Sequence, residues 1–211
     1  GGSGAAPAVA LLATTGTTIN DIQGSGADSP LNGQTVTVSG IVTGDFQEND
    51  ADMLSNLGGF YIQQESPDAD ASTSDGVFVF DGNNPRTDVE VGDRVEVTGT
   101  VQEHYDETQV SATSVRVSGN GVIQPTDINL PATTLTRNSD GDEITDLDAY
   151  EGMLVRFPQQ LRVSNLRFLE RYGEVGLAHG ERPFQFTNGN APDASAYRAH
   201  KTQLAARSLL L

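Results

Sequence analysis

The residues of this chain that are best suited to chemistry are carboxylates grouped in loops. The loop at residues 68–75 has oxygen-bearing side chains at nearly alternate positions, and its candidate metal ligands are Asp68, Asp70, Ser72 and Asp75. Such spacing suits a tight loop around calcium, a hard cation that prefers oxygen ligands. The mid-loop glycine and terminal glutamate of an EF-hand are missing. We therefore predict a structural calcium site of another kind, with a solvated loop as the alternative.

Two further acidic segments could bind a cation for the same reason. The loop at residues 137–143 offers Asn138, Asp140 and Asp142 as ligands. The segment 48–52 is a weaker candidate with three carboxylates. Calcium is thus the predicted cofactor, in a structural role.

Residues for acid–base or nucleophilic catalysis are scarce. The chain has no cysteine, which excludes disulfides, zinc–thiolate sites and cysteine nucleophiles. Its three histidines are His104, His179 and His200, and none lies in a metal-binding or acid–base motif. No glycine-rich phosphate loop or serine nucleophile elbow occurs. We predict that this chain is not an enzyme by itself.

The charge is divided unevenly along the chain. Residues 1–151 carry a net charge of −21 and residues 152–211 a net charge of +4. An acidic surface repels nucleic acid at long range. The basic part alone could supply several phosphate contacts, through Arg156, Arg162, Arg167, Arg171 and Arg182. The alternative is that these arginines pair with the carboxylates of the barrel predicted below for the first half, and hold the two halves together.

The elements that position these residues are mainly strands. Period-two alternation predicts strands at residues 34–43, 58–64, 76–81, 91–103 and 108–117. Gly40 indicates a bend that lets the first strand serve two edges. One long bent strand followed by two pairs is the pattern of a five-stranded OB-fold barrel. We expect either Phe60, Ile62, Val77 and Val79 or the opposite set in the core.

Aromatic side chains are available for stacking on nucleobases. OB-folds bind oligonucleotides on a strand face and its flanking loops. Tyr61 on the second strand and Tyr105 at the last hairpin tip are the candidates. This expectation depends on analogy with the fold.

Several phrases of the sequence, taken in order, resemble a known family. They lie at residues 22–26, 33–42, 58–63, 73–79, 92–99, 150–157 and 207–211. The family is the OB-fold region of secreted bacterial nucleases, which precedes an endonuclease/exonuclease/phosphatase-type catalytic domain. The resemblance implies an extracellular location, DNA as a partner and a catalytic nuclease domain downstream.

The domain organisation follows from these observations. We expect a flexible or extended segment at 1–18, the OB-fold domain at 19–120, a second β-rich unit at 121–191, and a helix or linker at 192–211. The second unit echoes the first and predicts a smaller, degenerate barrel. Asp193 can cap a helix over residues 194–210. Its apolar stripe fits either a missing downstream domain or the chain's own barrel.

Two functions other than catalysis therefore stay open. The first is an accessory OB-fold module of a secreted DNase, which binds or positions nucleic acid. The second is a calcium-stabilised structural or assembly domain, in which residues 8–15 could add a strand to a neighbour's sheet in an oligomer or filament. No apolar run approaches the ~20 residues that span a bilayer, so we expect no membrane insertion.

Overall fold

A computed structural model describes residues 16–47, 57–167 and 169–210 of the chain. The first half forms one five-stranded sheet from β1 (Thr35–Phe46), β2 (Gly59–Gln63), β3 (Gly76–Phe80), β4 (Asp93–His104) and β5 (Glu107–Asn120). The strands pair in the order β1-β2-β3-β5-β4, and β4 also pairs with β1. The sheet therefore closes on itself. All pairs are antiparallel except β3 with β5.

The long strand β1 serves two edges of this sheet, as predicted. Residues 35–41 pair with β4, and residues 41–46 pair with β2. The irregular register lies between Val42 and Gly44, so the prediction of a bend at Gly40 is displaced by a few residues. Gly40 is instead a point of close approach, because a β-carbon there would lie 3.1 Å from both Ile62 Cβ and Gln63 O.

Alternating apolar residues of the five strands fill the core. Phe60, Ile62, Val77 and Val79 are all fully buried, which selects one of the two predicted sets. A short helix, α1 (Ile19–Gln23), adds Ile19 and Ile22 to the same cluster. A capping box formed by Thr18 and Asp21 begins this helix. We placed residues 19–23 in the OB-fold domain but predicted no helix there.

The second half is β-rich, but its strands form small separate sheets. They are β6 (Thr126–Asp127), β7 (Leu135–Arg137), β8 (Glu143–Thr145), β9 (Val155–Arg156), β10 (Leu161–Asn165) and β11 (Gly176–His179). β6 pairs with β9, β7 with β8, and β10 with β11. The prediction of a second, degenerate barrel is therefore wrong for the described residues. The strands of two or three residues are too short to surround a core of their own.

A four-residue helix, α2 (Leu169–Tyr172), lies between β10 and β11. The C-terminal helix α3 (Ala194–Ala206) begins as predicted, because the Asp193 side chain accepts a hydrogen bond from Ala196 N. It ends four residues earlier than expected. Arg207 leaves the helix, and its carbonyl accepts from His179 N at 2.8 Å. A final strand, β12 (Ser208–Leu210), then adds to β11 and buries Leu209. Residues 208–210 therefore pair with a strand, although their local periodicity would allow the helix to continue.

A short stretch at residues 151–154, which we call the junction segment, fixes the second half on the closed sheet. Ser74 Oγ donates to Glu151 O at 2.6 Å, and Leu154 N donates to Gln63 Oε1 at 2.9 Å. Gly76 and Gly152 approach so closely that a β-carbon on Gly76 would lie 2.3 Å from the Gly152 carbonyl carbon. The junction segment is thus anchored to β2 and to the start of β3.

None of the helices that the structure describes is both long and apolar enough to cross a membrane.

Candidate nucleic-acid interface and acidic loops

The outer surface of the closed sheet presents a group of aromatic rings around Tyr61. The Phe46 ring stands nearly perpendicular to it, at 87° and with centroids 6.0 Å apart. The Phe78 ring lies on the other side at 4.9 Å, tilted by 55°. Phe78 is buried, whereas Tyr61 and Phe46 are partly exposed. The predicted stacking residue Tyr61 therefore belongs to an aromatic cluster.

One side of this cluster opens into a pocket of about 370 Å³, which we call the aromatic pocket. It is lined by Thr43, Gly44, Phe46, Tyr61, Gly152, Met153 and Leu154. The closed sheet supplies the aromatic wall, and the junction segment supplies the opposite wall. The pocket exists only because the two halves pack together.

Carboxylates surround the far end of the Tyr61 ring. The Tyr61 hydroxyl donates to Glu107 Oε1 at 2.9 Å. Burial, together with the nearby charge of Glu107, raises the pKa of Tyr61 above its ordinary value. The tyrosine therefore remains a neutral hydrogen-bond donor at physiological pH.

Glu151, in the junction segment, is the most perturbed carboxyl in this region. Its Oε1 accepts from Thr108 N at 2.8 Å and from Gln23 Nε2 at 3.4 Å. Burial, with a smaller contribution from the neighbouring charges of Glu107 and Asp148, outweighs these hydrogen bonds and raises the pKa of Glu151 to about 7. The aromatic face of the sheet is therefore an acidic environment, which disfavours phosphate groups.

Tyr105, the second predicted stacking residue, lies at the tip of the β4–β5 hairpin. Tyr105 and Asp106 both have positive φ values, of 52° and 65°, between the paired residues His104 and Glu107. This is the two-residue turn that matches the twist of a hairpin. The Tyr105 side chain is 93% exposed and makes an edge contact with His104 at 4.5 Å. It is the most exposed aromatic residue of the described chain.

Arg156 is already committed to a partner. Its Nε and Nη2 donate to the two carboxylate oxygens of Asp127 at 2.6 and 3.0 Å. The two residues face each other in the parallel pair β6–β9. The guanidinium lowers the pKa of Asp127 through these bonds. Arg156 is therefore paired, but its partner belongs to the second half, so the predicted alternative of a pairing with the barrel's carboxylates is wrong for this residue.

The other predicted arginines are exposed and lie in two places. Arg162 is on β10, opposite Ala178, and Arg182 follows the end of β11 on the same side of the hairpin. Arg167 and Arg171 lie in the connection beyond the opposite end of β10. Since β10 has five residues, its ends are about 13 Å apart. The structure thus brings these arginines to one small sheet without gathering them at one point.

The arginines of the closed sheet are mostly paired. Arg94 forms an ion pair with Glu65, with Nη2 at 2.7 Å from Oε1. Arg116 pairs with Glu96, its direct cross-strand neighbour, at 3.1 Å. In contrast, no ion pair involving Arg162 or Arg182 occurs among the described residues. Among the arginines predicted to contact phosphate, the guanidinium groups of Arg162 and Arg182 are therefore available to an external anion.

In the first acidic loop, carboxylate oxygens accept hydrogen bonds from neighbouring residues of the same loop. Asp68 Oδ1 accepts from Asp70 N, and Asp70 Oδ1 accepts from Ser72 N, both at 2.9 Å. The Ser72 hydroxyl also donates to Asp70 at 2.6 Å and helps to lower the pKa of Asp70. Asp75 is buried and accepts from Asn20 Nδ2 at 3.0 Å. Asp68 and Asp70 are exposed, whereas the hydrogen bond between Asp75 and Asn20 attaches α1 to this loop.

The second acidic loop contains a positive charge of its own. Lys201 of α3 donates to Asp142 Oδ1 and lowers the pKa of that carboxyl. Asn138 Oδ1 accepts from Asp142 N at 2.9 Å, and Asp140 is exposed. Lys201 therefore already neutralises one of the three predicted calcium ligands.

Across the described ranges, no three acidic or histidine side chains converge as a metal ion would require. The weaker candidate at 48–52 lies outside the described residues, as does segment 8–15. The sequence analysis missed Glu107 and Glu151, which are separated along the chain and meet only through the junction. An isolated glutamate in a strand or loop gives no sequence signal for such a contact.

Asp81 is another residue that the sequence analysis missed. Its Oδ2 accepts from Gln47 Nε2 at 2.5 Å, and burial raises its pKa to about 6. Gln47 is fully buried and also bonds Thr87 O and Val89 N, which fastens the loop between β3 and β4. Asp81 thus helps to hold this loop through Gln47, a role that its position in a turn of the sequence does not indicate.

The histidines show no catalytic arrangement in the part of the chain that is described. His200 Nε2 lies 3.2 Å from Phe184 O, and its ring lies beside Phe184 and Phe186. His104 is exposed at the hairpin tip. Neither is bonded to a carboxylate or a hydroxyl that could form an acid–base pair.

Comparison with known proteins gives no relative from which a role could be transferred. No protein-family model matches the chain, and no curated protein matches it either. The case for a function therefore depends on the residues and contacts described above.

Proposed function

We propose that this chain is a non-catalytic accessory module of a secreted DNase, built on an OB-fold barrel, and that it contacts nucleic acid through the arginines of residues 162–182. The closed sheet of five strands, with β1 shared between two edges, supports the OB-fold assignment. The sequence phrases described above support the nuclease context. The catalytic step would be carried out by another domain.

The observation that carries this proposal is the exposure of Arg162 and Arg182 without a carboxylate partner in the described chain. Most other arginines described here are held by an acidic group or by carbonyls. An arginine that is not neutralised can bind a phosphate through two parallel hydrogen bonds. The exposed arginines of 162–182 outnumber the three glutamates in the same stretch. This surface is thus the part of the molecule best suited to a phosphate backbone.

The strongly acidic closed sheet limits what this contact can do. Its net charge repels nucleic acid beyond the range of direct contact, and salt screens that repulsion over about 10 Å. We therefore expect weak binding that positions DNA for a tighter-binding catalytic domain. Tyr105 can add base stacking, worth about 1–3 kcal/mol per base, at the hairpin tip.

The test is the binding of fluorescently labelled single-stranded and duplex oligonucleotides at low salt, measured by anisotropy. The variant Arg162→Glu/Arg182→Glu should lose at least tenfold in affinity. The matched control is Arg86→Glu/Arg198→Glu, which changes the same charge at two exposed arginines elsewhere. Equal loss in both variants, or no binding by the parent protein, would overturn the proposal.

A structural role is the second candidate, and the junction segment favours it. Ser74 and Thr108 donate hydrogen bonds to Glu151, and Gln63 accepts one from Leu154 N, which attaches residues 151–154 to the closed sheet. Such a fixed arrangement suits a spacer or an assembly unit, and calcium at the first acidic loop would stabilise it further. This candidate would be favoured if the parent protein showed no measurable DNA binding and the variant Arg162→Glu/Arg182→Glu were less stable than the parent.

A further inference from the structure

The aromatic pocket has a chemistry that differs from that of the arginine surface. Its walls are the rings of Phe46 and Tyr61, which meet nearly at right angles, and the side chain of Met153. The described residues that line it include no basic side chain. A ring face attracts cations because its π-electrons are negative, and two perpendicular rings can surround one cationic group.

The hydrogen bond from Tyr61 to Glu107 strengthens this property. A phenol that donates to a carboxylate is more electron-rich than a free phenol, so its ring face is more attractive to a cation. The carboxylate of Glu107 also places negative charge behind the ring. The whole segment 1–151 has a net charge of −21, so the field around the pocket favours positive ligands.

The wall of the pocket that the junction segment forms is held in place by several contacts. Leu154 is held by Gln63 at 2.9 Å, and Met153 N donates to Tyr150 O at 3.1 Å. Gly152 has a φ of 67° and packs against the backbone of residues 76 and 77. Little ordering entropy is therefore lost when a ligand enters.

We propose that the aromatic pocket binds an arginine side chain presented by a partner protein. Perpendicular rings, a wall that contains Met153 and the carboxylate of Glu107 behind Tyr61 suit the flat, cationic guanidinium, which stacks on aromatic faces and is weakly hydrated. A nucleotide fits less well, because the net charge of −21 on residues 1–151 repels its phosphate. This binding is independent of the arginine surface on β10, so either site can fail without the other.

The test uses blocked tripeptides, acetyl-Gly-Arg-Gly-amide and its citrulline analogue, which has the same shape and no charge. The chain contains two methionines, so protein labelled with ¹³C at the methionine methyl groups gives two NMR signals. Met153→Leu assigns the signal of Met153. We expect the arginine peptide to shift this signal saturably and to bind at least tenfold more tightly than the citrulline peptide.

Three variants separate the contributions. Phe46→Leu should weaken arginine binding at least fivefold by removing one ring, and Glu107→Gln should weaken it severalfold by removing the charge behind Tyr61. Phe80→Leu, a change at a partly exposed ring outside the pocket, should leave it unchanged. Equal affinity for both peptides, preference for free choline or thymidine over the arginine peptide, or no shift at all would overturn the proposal.

Discussion

Gly76 and Gly152 meet backbone against backbone, since a β-carbon on Gly76 would lie only 2.3 Å from the carbonyl carbon of Gly152. This contact joins β3 of the closed sheet to the junction segment. The neighbouring bonds from Ser74 and Thr108 to Glu151 leave the segment little freedom to move away. The wall of the aromatic pocket and the position of the second half therefore depend on two residues without side chains.

Substitution at this contact should destabilise the protein. Gly76→Ala forces the junction segment to move, and overpacking of this kind costs about 1–3 kcal/mol in the free energy of unfolding. Urea unfolding measures the loss. The control is Gly26→Ala, because a β-carbon there would meet nothing within 4 Å. Equal stability of both variants would show that the two halves do not pack as described.

The stability of the protein should depend on the proton of Glu151. Its pKa is raised from an ordinary value of 4.5 to about 7, so the folded state binds more protons than the unfolded chain within that window. Stability should therefore fall as the pH rises from about 5 to about 7.5. Asp81, with a pKa raised to about 6, contributes with the same sign at the lower end.

Glu151→Gln isolates this contribution. The amide oxygen can still accept from Thr108 N, so the variant should keep its fold and lose most of the fall in melting temperature across that pH range. Glu90→Gln, at an exposed turn, controls for the loss of one charge. A variant that keeps the full pH dependence of the parent would contradict the assignment of this effect to Glu151.

Calcium binding at the first acidic loop is a prediction of the structural candidate. Calcium that binds the folded state should raise the melting temperature by mass action. Asp70→Ala should remove most of that rise, because Asp70 is exposed and at the centre of the loop. Asp142→Ala should leave the calcium-induced rise in melting temperature unchanged, since Lys201 already neutralises Asp142. A calcium response that persists in Asp70→Ala would exclude this loop as the site.

The strands β1 and β4 could be predicted because buried and more exposed residues alternate along them, whereas β2 and β3 are short, almost wholly buried runs that begin at a glycine. Val95, Val97 and Val101 are all fully buried, as their spacing indicates. The capping box of α1 was also readable, since Thr18 and Asp21 have the required spacing, but the prediction did not use it.

The second half was less predictable because its strands are set by distant contacts. Ser208 and Leu209 continue a helical pattern, yet they pair with β11 and bury Leu209. Likewise, nothing near Glu151 in the sequence indicates Thr108 as its partner. The sequence indicates which segment is basic, but only the fold shows that Arg156 is neutralised by Asp127.

The most direct test of the central claim is the salt dependence of DNA binding. Each phosphate contact contributes about −0.9 to the slope of log affinity against log salt for duplex DNA. If Arg162 and Arg182 each contact a phosphate, the slope for Arg162→Glu/Arg182→Glu should be smaller than that of the parent by about 1.8. The slope for Arg86→Glu/Arg198→Glu should equal that of the parent. If Arg162→Glu/Arg182→Glu had the same slope as the parent protein, the proposed phosphate contacts would be contradicted.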